Sequence, residues 1–96
     1  YQASADLAQS TSDIFISRSN GNGADESIVG ILHLFTPSNT TYIKHFWSKC
    51  TAYAADNSTQ TRWTTGYINS TNDVDAIIFR MSSGNLDGTI QMFGIA

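Results

Sequence analysis

Between residues 13 and 95, apolar side chains recur at every second position in short runs, and no stretch of any length repeats them at helical spacing. A period of two places alternate side chains on opposite faces of an extended strand. Six such runs occur: DIFISRS (13–19), ESIVGILHLFTP (26–37), TTYIKHFWSKCTAY (40–53), QTRWTTGYIN (60–69), VDAIIFRM (74–81) and GTIQMFGI (88–95). Turn chemistry separates each from the next: NGNG at 20–23, PSNT at 37–40, AADNST at 54–59, STND at 70–73 and SSGNLD at 82–87. Asn-Gly pairs accept positive φ at little cost, and Pro37 cannot continue a ladder. The pattern predicts an all-β antiparallel sandwich or barrel.

Within the longest run, Ile28, Gly30, Leu32 and Leu34 fall on one face and Val29, Ile31, His33 and Phe35 on the other. Both faces are mostly apolar, which predicts a central strand covered on both sides. Trp63, Thr65 and Tyr67 align on one face of the Thr-rich run. Residues 1–12 show no clear period and read as an N-terminal arm or partial strand ahead of a domain over 13–96. Six strands are two short of an eight-stranded jelly roll. The missing pair is assigned to residues 1–12, to upstream sequence, or to a neighbouring subunit. On this reading the final strand is a natural end, and Tyr1 starts too late for a complete jelly roll, as in the C-terminal part of a longer chain.

Composition narrows the function. Of the 96 residues 41% are hydrophobic and only 14% charged, against about 25% charged in ordinary soluble domains. Net charge is −3. The five basic residues, Arg18, Lys44, Lys49, Arg62 and Arg80, are scattered. A surface that tracks phosphates needs them concentrated, so no nucleic-acid partner is expected. No apolar run approaches the roughly 20 residues of a spanning helix, so no membrane partner is expected either. The polar opening YQASADLAQSTSD lacks the features of a signal peptide. Cys50 is the single cysteine, read as a small buried hydrophobe in a strand.

Catalytic and metal chemistry find little support. His33 and His45 have no HxH or CxxC companion, so neither is read as a zinc ligand. The serines include no nucleophile elbow. The carboxylates follow no EF-hand spacing and make no pair across a cleft. The glycines match no nucleotide-binding pattern. No catalytic residue, metal or cofactor is expected. Three Asn-x-Ser/Thr triplets, starting at Asn39, Asn57 and Asn69, mark loops. The remaining candidates are contact residues: Trp63 and Tyr67 for a partner sheet, Trp47 for an interface, and Tyr1 and Leu7 for an arm that reaches a neighbour.

The segment SSGNLDGTIQMFGI resembles the C-terminal signature of a group of bacteriophage virion proteins, in which Ser-Gly-Asn and a short turn precede Gly-Thr-Ile-x-hydrophobic-aromatic-Gly-Ile. Gly84, Asn85, Gly88, Thr89, Ile90, Met92, Phe93, Gly94 and Ile95 fit that pattern. GILHLFTPSNTTYIKHF and GYINSTNDVDAIIFRMSSGN resemble the same group further upstream, so the likeness covers about residues 28–96. It implies a jelly-roll-like β-sandwich of six to eight strands, assembled in the host bacterial cytoplasm, commonly as a trimer, and carried on the particle surface. The implied role is a non-enzymatic capsid decoration (cement) protein that binds the major capsid protein or other virion proteins. The alternative is a head-fibre or tail-fibre domain that binds host glycans; a small glycan-binding enzyme module is the third reading.

Overall fold

The computed structural model describes residues 3–95. The chain is all-β apart from one short 3-10 turn at Ala3–Ala5. Three strands, β1 (Ile28–Leu34), β2 (Lys44–Tyr53) and β3 (Thr59–Ile68), form one antiparallel sheet in the order β1-β2-β3. Register pairs Leu32 with Ser48 and Ser48 with Thr64.

Each boundary has a local cause. The expected strand over 40–53 begins only at Lys44, because the Asn39 side-chain carbonyl accepts the amides of Thr41 and Tyr42, both at 2.8 Å. Those amides are thereby withdrawn from any ladder. The turn before it is closed by Asn39 N–H on the Thr36 carbonyl at 3.0 Å. The β2–β3 hairpin turns through Ala54–Ser58. Asn57 N–H donates to the Ala54 carbonyl and Ala54 N–H to the Ser58 carbonyl, with Asn57 at φ 63°. Asn tolerates that left-handed conformation better than most residues.

β2 shows strict alternation. Lys44, Phe46, Ser48, Cys50 and Ala52 are buried on one face, while His45, Lys49 and Tyr53 are exposed on the other. Phe46, Cys50, Ala52 and Ala54 are the buried apolar residues among those described. Two glycines make this face possible. A Cβ on Gly66 would stand 2.6 Å from the Phe46 ring, and one on Gly30 would stand 2.5 Å from Cys50 Sγ. The side chains of β2 therefore lie across its neighbours where those neighbours have none. Loops close the two ends of the face. Lys44 Nζ donates to the Ser70 and Asn72 carbonyls, and Gln60 Nε2 donates to the Arg18 carbonyl at 2.6 Å. The segment before Gly21 is tied to the hairpin by Gly21 N–H on Tyr53 and Ala55 N–H on Ser19.

Two expectations about strands change. β1 is an edge strand, and β2 is the central one. The runs over 13–19, 74–81 and 88–95 contribute no strand to this sheet. Alternation specifies which faces a segment offers, but a strand also needs an edge to pair with. Segment 74–95 begins with Val74 N–H on the Pro37 carbonyl and then makes no backbone hydrogen bond among the described residues. Gly84 does sit at φ 74°, in the left-handed region that its turn-rich context predicts. An exposed Arg80–Asp13 ion pair at 2.6 Å links the segment to residue 13; such pairs contribute about 0–1 kcal/mol.

The result is an under-buried chain. It exposes 7915 Å², about 2,500 Å² more than a compact monomer of its mass would expose. Its radius of gyration is 14.6 Å, against about 12.5 Å for a compact chain of this length.

Candidate interaction surface

Two features account for much of the exposed apolar area: the uncovered face of the sheet and segment 74–95. The open face carries Val29, Ile31 and His33 from β1, His45, Trp47, Lys49, Thr51 and Tyr53 from β2, and Thr61, Trp63, Thr65 and Tyr67 from β3. Their common side follows from register alone, because residues directly opposite each other share a face.

An aromatic row crosses these strands. His33 stacks on Trp47 with centroids 4.3 Å apart and planes 14° apart. Trp47 meets Trp63 at 5.8 Å and 35°, and Phe35 lies 6.4 Å from His33. Lys49 Nζ stands 5.1 Å from the centre of the Trp63 ring, a cation–π contact. The rings of His33 and Trp47 therefore cover one another rather than lying flat as a platform. Thr51 and Thr61 hydroxyls pair at 3.0 Å beside the row. An open depression lies next to it, lined by Val29, Gly30, Ile31, Lys49 and Thr51.

The structure brings three of the expected contact residues together. Trp47 is half-buried within the row, while Trp63 (64% exposed) and Tyr67 (41%) are open. Leu7 is exposed but lies outside the row, and Tyr1 lies outside the described residues. The arm touches its own sheet: Gln9 Nε2 donates to Tyr67 Oη, and Asn69 Nδ2 donates to Gln9 Oε1, both at 3.0 Å. Gln9 adopts φ 54° to make this clamp.

Sequence reasoning missed Val29 and Ile31 on β1, and Ile78, Ile90, Met92, Phe93 and Ile95 downstream, as exposed apolar groups. A signal was present in β1: apolar residues on both faces of one strand require cover on both faces. Met92 is 89% and Ile95 88% exposed. Apolar exposure at this many positions exceeds the scattered single residues of an ordinary surface.

Other chemistry is sparse. Burial pushes the Cys50 thiol above its ordinary pKa, which makes it a poor nucleophile. The Ser58 hydroxyl, donating at 2.5 Å, holds the Asp56 carboxyl below its ordinary pKa. That pair belongs to the hairpin turn. Ser48 Oγ is buried without a hydrogen-bond partner among the described residues. No group of three or more His, Cys, Asp or Glu among those residues is placed to hold a metal ion. No described helix is long and apolar enough to cross a membrane. No protein-family model, curated protein or solved structure matches the chain.

Proposed function

We propose that the chain is a structural protein of a bacteriophage virion, one that decorates and stabilises the capsid through protein–protein interfaces. The carrying observation is the surplus surface of about 2,500 Å² on one chain; covered by a matching area on its partners it would amount to about 5,000 Å² in total, the upper end of the range for obligate interfaces. The sequence resemblance over residues 28–96 supplies the virion context. On this reading the three-stranded sheet is one layer of a jelly-roll-like sandwich of six to eight strands. Segments 13–19, 74–81 and 88–95 become strands when sister copies, as in a trimer, or the major capsid protein provide edges and cover. The chain is assigned no catalytic step and no cofactor, and its place is the particle surface.

The test is particle robustness. Particles assembled without the chain should lose DNA at a lower temperature or lower osmotic stress than complete ones, and added protein should restore them. Unchanged robustness would remove the cement role. Trp63→Ala should weaken attachment to particles if the open face is the contact.

The exposed Trp63 and Tyr67, with Thr61 and Thr65 hydroxyls beside them, favour a second reading as a fibre domain that binds host glycans. Aromatic rings and hydroxyls are suitable partners for a sugar. In that case free domain should inhibit phage adsorption, and Trp63→Ala should abolish the inhibition.

A further inference from the structure

We infer that residues 88–95 of one copy pair with the outer edge of β1 in a second copy, as an added strand. This rests on the reading of the chain as an assembly protein and names the contact that assembly uses.

The acceptor is defined by backbone parity. Phe35 N–H donates to the His45 carbonyl, and Tyr53 N–H donates to the Ser27 carbonyl, each at 3.0 Å. Odd-numbered residues of β1 therefore turn their amide groups toward β2. In an antiparallel pair the intervening residues face away. Ile28, Gly30, Leu32 and Leu34 thus direct N–H and C=O outward, and none of these groups has a backbone partner among the described residues. The strand IVGILHL contains no Asp, Glu, Lys, Arg or Pro. Edge strands are ordinarily protected by charge, proline, a bulge or cover. By contrast, β3 carries Arg62 and a run of threonines.

The donor matches. GTIQMFGI is uncharged and free of proline, places Ile90 and Met92 on the face opposite Phe93 and Ile95, and makes no backbone hydrogen bond among the described residues. Its eight residues fit the seven of β1. Ile90, Met92, Phe93 and Ile95 are exposed, as are Val29 and Ile31 on the acceptor. Strand addition of this kind draws its affinity from the main-chain hydrogen bonds along the paired edge. Within the protomer the same segment leaves that edge unpaired, so a second copy is the occupant. Donor and acceptor are different surfaces, which makes the contact head-to-tail and lets it close into a ring.

Two variants leave the sheet's own ladder intact: Met92→Pro removes a donor amide, and Val29→Lys with Ile31→Lys charges the acceptor. Analytical ultracentrifugation of the intact chain should show an oligomer. Each variant alone should be monomeric with the intact chain's far-ultraviolet β signature. An equimolar mixture should recover a one-to-one pair, because one variant keeps a working edge and the other a working segment. Independently of any variant, the Gly30 and Leu32 amides should exchange at least about tenfold more slowly in the oligomer than in the chain diluted to monomer. An intact chain that is monomeric at every concentration would overturn the pairing. So would slow exchange at these amides in the monomer, which would return the segment to its own edge. Variants that stay oligomeric, or fail to pair on mixing, would overturn it too while leaving the assembly reading standing. That reading falls only on the particle test.

Discussion

Gly66→Ala tests how the buried face is packed. The new methyl would stand 2.6 Å from Phe46 Cζ and 2.7 Å from Cε1, about 1 Å inside ordinary carbon contact. Phe46 is the largest of the buried apolar residues, so the ring must swing off β3 and lose part of its cover. Overpacking of this kind costs about 1–3 kcal/mol. Replacing a strand glycine returns about 0.5–1 kcal/mol of chain entropy, leaving a net loss of about 1 kcal/mol from the middles of the two ranges. With a urea m-value near 1 kcal/mol/M for a chain this short, the midpoint should fall by about 1 M. The comparison requires equal protein concentration, because association adds to apparent stability. The same substitution made with Phe46→Leu should cost little, since the clashing ring is gone. A midpoint unchanged or raised in the Phe46 background would refute the packing argument, as would an equal loss in the Leu background.

Other positions give independent checks. Lys44→Met keeps the stem but strips the Ser70 and Asn72 carbonyls of their donor; it should cost about 1–3 kcal/mol and speed proteolysis within 68–74. Asn57→Val forces a branched side chain into φ 63° and should cost about 1–2 kcal/mol, whereas Asn57→Gly should be close to neutral by thermal melting. Cys50 should react with a thiol reagent at pH 8 much more slowly when folded than in urea. Its raised pKa also sets a sign: above the ordinary thiol value of 9.0, the unfolded chain ionises while the folded thiol stays protonated. Stability should therefore fall as pH rises past that value, and Cys50→Ala should remove that part of the alkaline loss.

The sheet was legible because its signals are local. Alternation in β2 and β3, Asn57 in the hairpin and Asn39 beside Pro37 each depend on neighbours a few residues away. The alignment of Trp63 with Tyr67 followed from period two alone. Bringing Trp47 next to His33 and Trp63 required register, which depends on pairing between distant segments. The reading of β1 as central failed for a related reason. Its two apolar faces report that cover is needed and say nothing about where the cover comes from. Residues 74–81 and 88–95 offer apolar residues on both faces, as β1 does, yet find no edge among the described residues. Patterning determines the faces that a strand offers, while pairing depends on what is present to pair with.

If the open sheet face and segment 74–95 are covered on a virus particle, the chain must be a stoichiometric part of that particle. The most direct measurement is quantitative mass spectrometry of purified intact particles, giving copies of this chain per copy of the shell protein. A capsid decoration protein predicts a fixed ratio that follows the shell protein through purification. A chain absent from purified particles, or present only in the host lysate as a free monomer, would contradict the account.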